Sequence, residues 1–301
     1  MAKPDFLIIG AAKSGTTALY RYLQQHPQIF LSPVKEPHYF AFAGEKPDYR
    51  GPGVTVNKTS VTDLGAYQRL FDDVRDETAV GEASALYLYV PAAAARIKEY
   101  APAMRLIVIL RHPAERAFSS YLHLMRDGRE PLMDFAAALQ AEPQRIRANW
   151  GFLWRYRDLG FYAQQLRRYY ALFPREQVRV YLYDDFRADA LAVLRDMCRF
   201  IGVDDAFTPD MSLRHNVSGI PRQRWLHSLL HGAHPAKALL KPFLPVAWRD
   251  RARQQMTQRN LARPTLPPDL RRALTNDFRT EILDLQDLLQ RDLSAWLFDE
   301  G

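Results

Sequence analysis

The chain has 301 residues, 48% of them hydrophobic and 25% charged. That is enough apolar material to bury one large α/β core or two small ones, which excludes disorder as the main state. A lone cysteine, Cys198, excludes an intrachain disulfide and gives no basis for metal or redox chemistry, while a net charge of +7 predicts an anionic partner without choosing among nucleic acid, nucleotide, acidic glycan and anionic lipid.

The opening Met1-Ala2-Lys3-Pro4-Asp5 precedes an apolar run of only 6–9. Such a run is too short and too closely flanked by charge for a signal peptide or a membrane span, so a cytoplasmic location is expected. It reads instead as a buried strand, as do 29–31, 106–110 and 178–182, all rich in branched apolar residues. Between the first two lies a predicted helix over 16–26, with Leu19, Tyr22 and Leu23 on one face and Pro27 as its stop. Residues 41–60 hold Gly44, Pro47, Gly51, Pro52 and Gly53 among polar residues and read as a long surface loop. Pro91 occupies a first-turn position and opens a helix to Tyr100, and Pro113 does the same for a helix running to about Asp127. A later helix from Ala188 carries Leu191, Leu194, Cys198 and Ile201 as one stripe and ends at Gly202, suited to a left-handed cap.

Strand, helix, strand therefore recurs to about residue 202, which predicts a parallel sheet flanked by helices. From 216 to 268 the chain is rich in Arg, Pro, His and Trp with no clear strand. Excursions of this kind from an α/β body form lids and binding walls. A last amphipathic helix, with Leu270, Leu274, Phe278, Ile282, Leu285 and Leu289 on one stripe, should pack back on the sheet. There is no internal repeat.

Directly after the first strand comes Gly10-Ala11-Ala12-Lys13-Ser14-Gly15-Thr16-Thr17. Small residues let successive backbone amides face a ligand, the following helix N-terminus adds to the field, and Lys13 supplies a point charge, so the segment reads as an anion cradle. The lysine precedes the second glycine, whereas nucleotide triphosphatases place it afterwards and follow it with the hydroxyl that holds magnesium. No metal is therefore expected. This order, with the strand before it, resembles the 5′-phosphosulfate loop of the sulfotransferases, and most of all that of the heparan sulfate sulfotransferases and their bacterial relatives. The resemblance implies a P-loop-containing parallel sheet in a single domain over 1–301, with 3′-phosphoadenosine 5′-phosphosulfate as co-substrate held by Lys13, Ser14, Gly15, Thr16 and Thr17.

A second segment fits the same family. The strand 106–110 runs into Arg111-His112-Pro113-Ala114-Glu115-Arg116-Ala117-Phe118-Ser119-Ser120, which resembles the 3′-phosphate segment, here 111–120. Arg111 and Ser119 would carry that site, since a guanidinium fork suits a terminal phosphate. Further likeness lies in Gly160-Phe161-Tyr162, in Tyr181-Leu182-Tyr183-Asp184-Asp185-Phe186 and in Arg291-Asp292-Leu293-Ser294-Ala295-Trp296. Arg222 matches a late loop that closes over the 3′-phosphate in the family, within a basic lid at about 216–268; the alternative is a plain surface arginine.

Sulfuryl transfer needs a base for the attacking hydroxyl and a cation for the departing oxygen. Lys13 is placed for the cation role. After the second strand stands Ser32-Pro33-Val34-Lys35-Glu36-Pro37-His38-Tyr39-Phe40, which resembles the family segment with a catalytic glutamate ahead of two aromatics. Glu36 is the expected base, and His38 would orient the acceptor or share the proton, its alternative being a wall residue beside Tyr39 and Phe40. Glu82, in Gly81-Glu82-Ala83-Ser84, closes another strand in an acceptor-side motif. The heparan sulfate enzymes carry a lysine after that glutamate, where this chain has Ala83.

The expected acceptor is a hydroxyl of a glycan or small molecule, with no nucleic-acid partner. Two rivals remain open at this level. A P-loop kinase shares the first strand, loop and helix. A basic membrane-surface protein would use Trp225, Leu229, Phe243 and Trp248 interleaved with Arg222, Lys237 and Arg249, although Pro221, Pro235, Pro242 and Pro245 prevent one long interfacial helix there.

Overall fold

A computed structural model describes residues 2–212, 220–221, 261–262 and 264–298. Five strands, β1 (Phe6–Gly10), β2 (Ile29–Leu31), β3 (Ala79–Ala83), β4 (Arg105–Leu110) and β5 (Val178–Leu182), form one sheet in the order β2-β3-β1-β4-β5. Every neighbouring pair is parallel. A parallel sheet covered on both faces needs unbroken apolar strands, and Phe-Leu-Ile-Ile of β1 and Leu-Ile-Val-Ile-Leu of β4 supply them. Alternate side chains feed opposite faces. Leu7, Ile9, Leu106 and Val108 enter one core and Phe6, Ile8, Ile107 and Ile109 the other.

Helices cover both faces. The Phe6/Ile8 face receives Leu19 and Leu23 of α1 (Thr16–Leu23). The connection from β2 to β3 then holds the single turns α2 (Tyr39–Phe42), α3 (Val56–Thr59) and α4 (Leu64–Gln68), within the predicted loop region and on either side of it. The Leu7/Ile9 face receives α5 (Pro91–Tyr100), α6 (Pro113–Arg126) and α7 (Phe135–Arg147), and also α8 (Tyr162–Tyr170). Pro91 and Pro113 stand at the first positions of their helices, as their fixed φ and missing N–H favour.

Three helices depart from the sequence reading. The first stops at Leu23, before the turn that leads to Pro27. The segment expected to begin at Ala188 is two helices, α9 (Tyr183–Ala188) and α10 (Ala190–Ile201), because the Asp189 carboxylate caps Ala192 N–H at 2.9 Å and starts a new helix. Gly202 closes α10 with φ 84°, and Cys198 is buried on it as a small hydrophobe. The closing helix is kinked into α11 (Pro268–Asp277) and α12 (Arg279–Leu289) at Phe278, whose ring is fully buried. A short antiparallel pair, β6 (Ile220–Pro221) and β7 (Leu261–Ala262), lies in the basic region, most of which falls outside the described residues. Among the described residues no helix is long and apolar enough to cross a membrane.

Candidate active site

The C-terminal edge of a parallel sheet is where its loops converge, and here the ends of β1 and β4 are neighbours. At Gly10 an added Cβ would come within 2.7 Å of the Leu88 side chain, so only glycine lets the chain leave β1 at this point. The loop then turns through Lys13 at φ 71° and Gly15 at φ 104°, and α1 begins at Thr16. Gly15 is also covered: a Cβ there would meet the Tyr183 ring at 3.2 Å. Ser14 is fully buried, and its hydroxyl stands near that of Tyr162 but makes no hydrogen bond of good geometry among the described residues. A buried hydroxyl left in that state, in a loop of small residues, fits an anion acceptor.

Lys13 is the electrostatic centre of this loop. Burial, with help from Arg126 and Arg111, pulls its ammonium down to about 7, against Asp127 and Glu36, which favour the charged form. Arg111 leaves the end of β4 with its guanidinium 5.1 Å over the Tyr183 ring and 3.2 Å from the Glu115 carboxylate. Tyr162 donates to the Arg111 carbonyl at 3.0 Å. Ser119 is buried on α6, two turns beyond Arg111. His112 caps α6 by accepting from Ala114 N–H at 3.2 Å, and its Nε2 pairs with the Trp296 carbonyl at 2.8 Å, so the C-terminal segment braces the Arg111 turn.

Glu36 stands after β2, where its own N–H donates to the Ala83 carbonyl at 2.9 Å. Both Glu36 and His38 have positive φ, 62° and 58°, which side-chain-bearing residues adopt only when their surroundings enforce it. The carboxylate lies 2.6 Å from Lys35 Nζ and 3.5 Å from His38 Nε2. Burial pushes its pKa up, but Lys35, His38 and Lys13 outweigh that effect and hold the group below the usual glutamate value. Glu36 is therefore an ionised carboxylate at neutral pH. His38 is driven the other way, down, chiefly by burial and in spite of Glu36, and its Nδ1 has no partner among the described residues.

Glu36, Lys35 and His38 open onto a cavity of about 450 Å³. Its other walls are Val54, Thr55, Val56 and Thr59 from the long loop, His123 and Arg129 at and beyond the end of α6, and Gly151 to Trp154. Arg129 lies 5.0 Å over the Trp154 ring, and Lys13 is near enough to His123 for its charge to help burial depress that imidazole. Lys13 of the phosphate loop thus lies within electrostatic reach of two residues that line the cavity, Glu36 and His123.

Of the residues singled out from the sequence, Lys13, Ser14, Gly15, Thr16, Thr17, Arg111 and Ser119 gather on the β1 and β4 ends, and Glu36 and His38 on the adjoining cavity. Arg222 lies outside the described residues. Sequence reasoning did not find the His123, Arg129 and Phe152 to Trp154 walls, which come from separate segments with no shared motif. Nor did it find Tyr183 as the lid of Gly15, although the glycine and the aromatic each stood in a segment that was noticed.

The sulfotransferase family matches residues 4–209. A crystal structure of a sulfotransferase from Alicyclobacillus acidocaldarius is 39% identical with a TM-score of 0.78, covering 98% of this chain and 99% of that one. The bifunctional heparan sulfate N-deacetylase/N-sulfotransferase of Drosophila melanogaster is 28% identical over 230 residues, 71% of this chain and 21% of that protein. Mouse bifunctional heparan sulfate N-deacetylase/N-sulfotransferase 4 is 26% identical over 312 residues, 99% of this chain and 31% of that protein. The chain spans between about a fifth and a third of the length of these curated relatives. With the family match running from β1 to the end of α10, and a fold shared end to end with the bacterial relative, the chain belongs to the sulfotransferase family.

Proposed function

We propose that this protein transfers a sulfuryl group from 3′-phosphoadenosine 5′-phosphosulfate to a hydroxyl seated in the Glu36 cavity. The observation that carries the reading is a half-buried phosphate-loop lysine within electrostatic reach of an ionised glutamate that opens on a cavity. The donor supplies an activated sulfuryl group on a phosphate leaving group. Loop amides of 10–17, the Ser14 hydroxyl, Thr16 and Thr17 bind its 5′ side, and Arg111 with Ser119 binds its 3′-phosphate. Lys13 stabilises the charge that grows on the departing bridging oxygen, a role in which one lost donor costs about 3 kcal/mol. Glu36 takes the acceptor proton. Its lowered pKa makes it a weak base, so proton transfer runs together with bond making rather than ahead of it. His38 orients the acceptor oxygen.

Relatives named for heparan sulfate support a carbohydrate acceptor. Ala83 stands where the resemblance leads one to expect a lysine, so a small-molecule alcohol belongs in the same test. The donor is offered with glycan, phenol and aliphatic alcohol acceptors in EDTA, and sulfated product is followed by mass spectrometry. Transfer should persist without metal. Arg111→Ala should bind adenosine 3′,5′-bisphosphate at least about tenfold more weakly, the worth of one charge-assisted pair. Equal affinity in Arg111→Ala would remove the 3′-phosphate assignment, and activity restored only by magnesium with ATP would favour the kinase reading.

A further inference from the structure

Glu82 is the least exposed acid near the site and has no role in the chemistry above. It sits in β3 with its carboxylate fully buried, and Ser84, two residues on, is buried as completely. The Ser84 hydroxyl donates to Glu82 Oε2 at 2.8 Å and accepts the backbone N–H of His38 at 3.1 Å. Tyr87 repeats the pattern: its hydroxyl faces the same carboxylate and accepts the N–H of Phe40 at 3.3 Å. Tyr67 approaches the other carboxylate oxygen at 3.5 Å. One carboxylate thus collects hydroxyl hydrogens, and two of those hydroxyls turn their lone pairs to the amides of the turn that bears Glu36 and His38.

We propose that Glu82 is a positioning residue for the transfer reaction: by orienting the Ser84 and Tyr87 hydroxyls it fixes the left-handed turn that presents Glu36 and His38 to the cavity. The inference rests on the sulfotransferase reading. A hydroxyl has one hydrogen, and where that hydrogen points decides whether the oxygen is free to accept. Without an acceptor at 82, the Ser84 hydrogen has no carboxylate to hold it away from the His38 amide, and a buried amide with no acceptor is a costly state the turn escapes by relaxing. The positive φ at Glu36 and His38 makes this turn the part of the site with most to gain from relaxing. Burial, with the like charge of Glu36, pushes Glu82 up to about 7, against the hydroxyls that favour its ionised form, so the chain retains an expensive buried acid here.

The test separates positioning from stability. Glu82→Leu takes the acceptor from buried hydroxyls, a loss that should lower the melting temperature modestly while leaving the protein folded at the assay temperature. It should nevertheless cut kcat between about 10- and 100-fold, the effect of a misplaced catalytic group, while affinity for adenosine 3′,5′-bisphosphate changes less than about twofold. Glu82→Gln, which keeps one acceptor, should fall between Glu82→Leu and the parent. Hydrogen exchange should quicken at the His38 and Phe40 amides in Glu82→Leu with the β1 and β4 amides unchanged. The double variant Glu82→Leu/Ser84→Ala should lose no more activity than the worse single variant, because both act through one bond. Turnover within twofold of the parent, unaltered exchange at His38 and Phe40, or additive losses would each overturn the proposal. If Glu82→Leu does not fold, Ser84→Ala and Tyr87→Phe carry the same readouts. A parent that binds no adenosine 3′,5′-bisphosphate would instead sink the sulfotransferase reading, and the exchange measurement would still judge Glu82.

Discussion

At the level of single residues, the site works by setting charges against one another. Glu36 is held ionised by Lys35 and His38, and Lys13 is left with a charge that burial makes costly. Glu36→Gln keeps size and removes the basic carboxylate. We expect turnover at saturating acceptor to fall about 100-fold or more with nearly normal affinity for adenosine 3′,5′-bisphosphate, measured by calorimetry beside the rate. A nearly active, folded Glu36→Gln would take Glu36 out of the chemistry. Lys13 gives a second expectation. With its pKa near 7 in the free protein, most of the amine is neutral at pH 8, and a bound phosphate favours the charged form. Nucleotide binding at pH 8 should therefore take up close to one proton, and at pH 6 almost none. Calorimetry in buffers of different ionisation enthalpy measures this. Uptake that survives in Lys13→Met would assign the proton to another group.

Among the elements, the legible ones are those whose ends carry local chemistry. Pro91 and Pro113 mark helix starts because proline fixes φ, and Gly202 marks a helix end because glycine enters the left-handed cap without a Cβ clash. β3 was legible only as a strand end before Glu82, since Ala-Val-Gly-Glu-Ala has little branched apolar content. Its Gly81 is explained by its neighbour: the Phe6 ring would stand 2.5 Å from any Cβ there, and Phe6 pairs with Gly81 in register. The kink between α11 and α12 has a similar origin. Phe278 packs its ring where Gly160 leaves room, 2.7 Å from the place of a Cβ, and against Phe161. Gly160→Ala should destabilise the fold by about 1–3 kcal/mol, the usual cost of overpacking, read as a lower urea midpoint at an unchanged slope. No change in midpoint would mean that the two C-terminal helices shift freely on the body.

For the molecule as a whole, net charge foretold an anionic partner but gave it no address. The fold brings two of the cations, Lys13 and Arg111, to the neighbouring ends of β1 and β4, close enough for Arg111 to act on Lys13. A ligand that binds only the native state stabilises it by mass action. Adenosine 3′,5′-bisphosphate at 100 times its dissociation constant should add about 2.7 kcal/mol in EDTA, whereas ATP in EDTA should shift the melting temperature little. Equal shifts by the two nucleotides would show that the 3′-phosphate is not recognised.

The sequence by itself determined the alternating α/β order, the phosphate loop with its early lysine, and the arginine at the end of β4, because each is a contiguous signal set by local backbone geometry and chain order. Only the tertiary structure decided what those signals face. The cavity joins the 54–59 loop, the end of α6 and the 151–154 turn, segments far apart in the chain that share no pattern. The ionised state of Glu36, the depressed Lys13 and the Ser84 relay likewise depend on burial and on charges brought near by packing, and those quantities exist only once the sheet has closed its layers.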